Sequence, residues 1–102
     1  MITDKQFEDS FTAAGGWFVA VYYETVADWR DEKSKLVDKI FAEGTDSKRT
    51  GTTTRVSSLQ RIIDNGRSVE ALEKIAVLEK IKKRNPTAVV EAARILRERF
   101  HR

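Results

Sequence analysis

The sequence predicts an all-α fold: a compact bundle of about five to six short helices in a single domain over residues 1–102. Three observations lead there. Apolar residues return at three- and four-residue spacing along most of the chain, as the buried stripe of a helix requires. Helix-start and helix-stop residues punctuate those stretches at short intervals. The one segment of strand-like composition, WFVAVYY at 17–23, finds no second strand of comparable quality to pair with.

Taken in order, Thr3-Asp4-Lys5-Gln6 has the form of a capping box, with the threonine hydroxyl and the glutamine side chain each serving the other's amide. Phe7 and Phe11 follow on one face, and Gly15-Gly16 breaks the helix. Residues 17–30 read as a buried helix, because Trp17, Val21, Thr25 and Trp29 keep helical spacing despite the β-branched and aromatic start. Leu36, Val37, Ile40 and Phe41 form the stripe of a helix over 32–43, with Gly44 as its stop. A polar loop over 45–55 precedes a stripe of Val56, Leu59, Ile62 and Ile63, closed by Asn65-Gly66. Ser68 is the expected cap of a longer helix carrying Val69, Leu72, Ile75, Leu78 and Ile81, with Lys82, Lys83 and Arg84 in its last turn. Asn85 and Pro86 then cap and open a final helix lined by Val89, Ala93, Leu96 and Phe100.

A chain of 102 residues can bury roughly 65% of its unfolded surface, enough for one core. With no cysteine, disulfides, thiolate nucleophiles and cysteine zinc sites are excluded. The apolar run at 17–23 is far too short to cross a bilayer, and the residues before it are acidic where a signal peptide is basic. The expected location is therefore cytoplasmic, without membrane association. Net charge is +3, but residues 1–47 carry −5 and residues 48–102 carry +8. Such a split fits two arrangements: a basic half that meets a polyanion, or acidic and basic halves that pack against each other.

Catalysis is not expected. The one histidine, His101, stands next to the last residue, which disfavours a Ser-His-Asp triad and a multi-histidine metal site. Acids such as Glu70, Glu73, Asp31 and Glu32 lack the apolar surroundings that separate the pKa values of an acid–base pair. GTDSKRTG over 44–51 lacks the Gly-Lys-Ser/Thr ending of a phosphate-binding loop. No cofactor or metal is implied.

The stretch TDSKRTGTTTR at 45–55 is the strongest candidate for a binding role. Hydroxyls and cations before a helix N-terminus suit a phosphate or a nucleic-acid backbone, with Lys48, Arg49, Thr52, Thr53, Arg55 and Arg61 as the contacting residues and Gly51 allowing close backbone approach. The same residues also suit a polar connection in which Thr53 or Thr54 is simply the helix cap. IIDNGRSVEAL resembles a helix-turn-helix in outline, but Ser68, Glu70 and Glu73 at the head of its second helix disfavour entry into a phosphate-lined groove. Backbone contact by the loop and by residues 82–84 is the better expectation for nucleic acid, although a cation cluster there also suits a helix end.

Trp17, Tyr22 and Trp29, with Phe18 and Tyr23, form an aromatic segment that is either core or a protein-binding patch. A helix apolar on all sides needs full cover, and a homodimer burying part of 17–29 is one way to supply it. The sequence thus frames two main functions for a small non-enzymatic module: contact with nucleic-acid backbone through the basic half, or binding of a protein partner (or a second copy) through the aromatic segment.

Overall fold

The computed structural model describes residues 1–78 and 83–102. Six helices are present among them: α1 (Asp4–Ala14), α2 (Gly16–Ala27), α3 (Lys33–Ala42), α4 (Arg49–Asp64), α5 (Ser68–Val77) and α6 (Pro86–Phe100). The all-α bundle expected from the sequence is what forms, around one continuous core. Its Cα radius of gyration of 12.8 Å is that of a single compact body of about 100 residues.

The capping box at Thr3 closes α1 as its sequence predicts: the Thr3 hydroxyl accepts from the Gln6 amide at 3.1 Å, and the Gln6 side chain accepts from the Thr3 amide at 2.9 Å. Gly15 ends α1 and starts α2 in one residue, with φ +85° and ψ 137°, a backbone open essentially to glycine alone. The resulting elbow drives α2 through the middle of the bundle, against α1, α4, α5 and α6. Phe18, Val19, Ala20, Tyr22, Tyr23 and Val26 are all buried along it. The strand-like composition of 17–23 is overridden because a helix enclosed by four neighbours can be apolar on every face. The chain itself thus covers most of this helix, with Trp17 at its start left exposed.

Several boundaries differ from the sequence reading; α2, read over 17–30, ends at Ala27. Helix α4 starts at Arg49, so most of the stretch read as a loop is helical. Its N-cap is Lys48, without a side-chain cap bond. Thr53 and Thr54 are therefore not caps; their hydroxyls donate one turn back, to the carbonyls of Arg49 (3.0 Å) and Thr50 (3.1 Å). A threonine can satisfy its hydroxyl inside a helix this way, which is why the cluster did not end in a cap. Helix α5 opens after Arg67, not after a Ser68 cap. Ser68 is its first helical residue and is buried, because Arg67 holds the turn by donating to Thr3 O, Asp4 and Glu70. Helix α5 also ends at Val77, with Leu78 extended, rather than running on to residue 84. Ile81 and Lys82 lie outside the described residues.

The inward face of α6 is turned by about one residue from the expected one. Ala88, Ala92, Ile95 and Leu96 are buried, Val89 is half-buried and Ala93 faces out. Pro86 occupies the first turn as predicted, whereas Asn85 stands at the cap position without a capping hydrogen bond.

Candidate interaction site

The charge split between the two halves is consumed largely within the fold. Arg94 on α6 reaches Glu24 on α2 and Glu91 and Glu98 on its own helix. Arg99 clamps Asp28 with two 2.9 Å hydrogen bonds and also meets Glu24. The hydrogen bond from Arg94 lowers the pKa of Glu24, and the one from Arg99 lowers that of Asp28, against an opposing effect of burial. Lys74 pairs with Glu8 at 2.7 Å, Arg67 with Asp4 at 2.9 Å, and Arg49 with Asp38 at 2.8 Å. In each of these pairs a cation from residues 48–102 meets an acid from 1–47.

The candidate phosphate-contacting residues are not gathered into one cradle. Thr52 is wholly buried and donates to Asp46 Oδ2 at 2.9 Å. Arg55 donates through Nε to Asp46 Oδ1 at 3.0 Å and through Nη1 to the Ala14 carbonyl at 2.6 Å, tying α4 to the end of α1. A Cβ on Gly51 would lie 3.3 Å from the Asp46 carboxylate, so the close approach that this glycine permits is taken by that side chain. Thr53 is bonded to its own helix, as described above. Arg49 is engaged by Asp38 and by the Ser34 carbonyl, at 3.2 Å, yet remains half exposed. Lys48 and Arg61 are exposed and have no ion pair among the described residues. They stand thirteen residues apart, about 20 Å along a helix.

Asp46 is the residue that sequence reasoning missed. It is the one acid in a run of hydroxyls and cations, six residues before Thr52 and nine before Arg55. A lone carboxylate in such a run is a signal that the run's donors have an acceptor of their own.

The aromatic candidates also separate. Tyr22 is buried, stacks on Phe18 with ring centroids 5.0 Å apart, and donates its hydroxyl to Glu43 at 3.2 Å. Trp29 is half-buried against the core edge, with its indole N–H on the Glu32 carbonyl at 3.0 Å. Trp17 alone of the three stands exposed, at 38%, edge-on to Tyr22. It borders a groove of about 400 Å³ beneath the α1–α2 elbow, lined also by Phe11, Gly15, Leu78, Arg84 and Asn85. Phe11 and Leu78 give the groove an apolar wall, and Arg84 is its cation. Lys83 beside it is exposed.

Among the described residues no helix is long and apolar enough to cross a membrane, and no three His, Cys, Asp or Glu side chains gather as a metal-binding set. Comparison of the chain with known protein families, characterised proteins and solved structures finds no match.

Proposed function

We propose that this is a non-enzymatic protein-interaction module that takes an apolar side chain of a partner segment into the groove beneath the α1–α2 elbow. Trp17 is the wall that the incoming side chain packs on, and Arg84 is the cation that pairs with a carboxylate on the same segment. The observation that carries the reading is the exposure of Trp17 at the mouth of an apolar groove, while the rest of α2's aromatic face is buried. Exposed aromatic and arginine side chains beside a groove are the residue types that anchor protein interfaces. The engagement of Thr52, Arg55 and Arg67 by acids of the same chain weighs against a broad basic face.

A second reading keeps nucleic-acid backbone as the partner, through Lys48, Arg49 and Arg61. Its support is that Lys48 and Arg61 are exposed without an ion pair among the described residues, and that the Arg49–Asp38 pair is solvent-exposed and therefore weak.

Fluorescence anisotropy distinguishes the two. The probes are labelled peptides with a Leu or Phe flanked by Asp and Glu, the same peptides with the acids replaced by Lys, a short DNA duplex and a single-stranded RNA. Selective binding of the acidic peptides, weakened at least tenfold by Trp17→Ala and by Arg84→Glu, is the expected result. Binding confined to the nucleic acids, falling steeply with salt and lost in Lys48→Glu/Arg61→Glu, would replace it with the second reading.

A further inference from the structure

The α5–α6 face presents a different surface, on which the two most exposed large aliphatic side chains of the described helices lie: Val77 at 76% and Val90 at 65%. Helices α5 and α6 pack together extensively. They run antiparallel: Glu73 in the middle of α5 meets Arg102 beyond the end of α6 at 3.2 Å, while Val77, one turn further along α5, lines a depression with Ala93, earlier in α6. Between their outer edges lies a shallow depression of about 350 Å³ lined by Ala76, Val77, Ala93, Leu96, Glu73 and Arg97 among others. Val90 sits one turn before Ala93 on the same stripe of α6. The face is therefore apolar at one end, around Val77, Ala93 and Val90. At its other end Glu73 on α5, which shares its exposed carboxylate with Arg102, stands beside a cation on α6, Arg97, which has no ion pair among the described residues.

We propose that this face binds a second copy of the same chain, about a two-fold axis that runs parallel to the two helices along the groove between them. A rotation of that kind lays α5 of each copy over α6 of the other and keeps the two ends of the face in register. The valine-rich ends then meet each other, and Glu73 of each copy faces Arg97 of the other. A two-fold interface must be complementary to itself, and a patch with opposite charges side by side on its two helices meets that condition. The alanines at 76 and 93 let the helices approach closely. The product is a four-helix layer with antiparallel neighbours, an ordinary helix-packing arrangement. Helix α5 is only ten residues, about 15 Å long, so the face falls short of the roughly 800 Å² per partner of stable complexes. The dimer is accordingly weak, with a Kd between about 10 μM and 1 mM.

Sedimentation equilibrium over a concentration series up to about 1 mM tests this, with helicity by circular dichroism as the check on folding. The full chain should dimerise. Val77→Lys should weaken the dimer at least tenfold, as should Glu73→Lys and Arg97→Glu, each alone, while the helical signal is retained. The decisive sample is an equimolar mixture of the two charge variants. In the mixed dimer one contact is native and the other is reversed but still complementary, so association should recover. Three outcomes would overturn the proposal: a chain that stays monomeric throughout, a dimer indifferent to Val77→Lys, or a mixture no stronger than either variant. Trp17→Ala should leave the dimer intact, so this inference and the groove reading stand or fall separately.

Discussion

The corner where α4 meets the end of α1 and the outer face of α5 and α6 reverse the usual relation between polarity and burial. At the corner, the polar Thr52 is wholly buried and the Arg55–Asp46 pair is largely covered, with side-chain exposures of 35% and 14%. On the outer face, the aliphatic Val77 and Val90 stand 76% and 65% exposed. The difference shows what decides burial in a small domain. A polar group can be enclosed once every donor has an acceptor, and no buried side-chain nitrogen or oxygen among the described residues lacks a partner. An apolar group stays outside where no neighbouring helix covers it. The first region is satisfied by its own chain, and the second exposes aliphatic surface.

The comparison can be broken most severely at Asp46. Asp46→Ala leaves the Thr52 hydroxyl enclosed without an acceptor and Arg55 without its carboxylate, and should cost about 3 kcal/mol in urea unfolding followed by circular dichroism. Gly15→Ala comes next. It forces a side chain into a backbone at φ +85° and sets a Cβ 2.9 Å from Nη1 of Arg55, so a loss of about 2 kcal/mol is expected in the same assay.

Acid sharpens the comparison from the side of the helix-to-helix ion pairs. Glu24 and Asp28 have folded-state pKa values below their ordinary 4.5 and 3.8, because Arg94 and Arg99 hydrogen-bond to the charged forms. Their contribution is complete above those ordinary values and is lost as pH falls through the lowered folded-state values. Thermal melts from pH 7 downward should show this loss beginning near pH 4.5, and Arg94→Met/Arg99→Met should reduce it. Solvent screens these pairs, so each accounts for under about 1 kcal/mol. The smallest effect belongs to the outer face: Val77→Ser should change the stability of the dilute monomer by less than about 0.5 kcal/mol, since the side chain is 76% exposed. A loss above about 1 kcal/mol at Val77 would mean that the face is not open and would remove the contrast.

Much of this architecture was legible in the sequence for local reasons. The Thr3–Gln6 box, the Gly15 break and Pro86 at a helix start act through a few neighbouring residues, and each appears where the sequence set it. The candidate site was less legible. Lys48, Arg49, Thr52, Thr53, Arg55 and Arg61 are close in sequence, but three of them are drawn to acceptors outside their helix: Arg49 to Asp38 and Ser34 on α3, Thr52 to Asp46, and Arg55 to Asp46 and to Ala14 at the end of α1. Trp17 and Tyr22 lie on α2 and Trp29 just beyond its end, yet the elbow at Gly15 brings only the first of them to a surface groove.

By itself the sequence determined the helical class, through periodic apolar spacing and through start and stop residues whose physics is local. It also determined that opposite charges lie in opposite halves of the chain. Only the tertiary structure decided where those charges meet, which threonines are enclosed and which aliphatic face stays open. Each of those depends on which distant helix packs alongside, and long-range packing is set by the shape of the whole core rather than by any one segment of it.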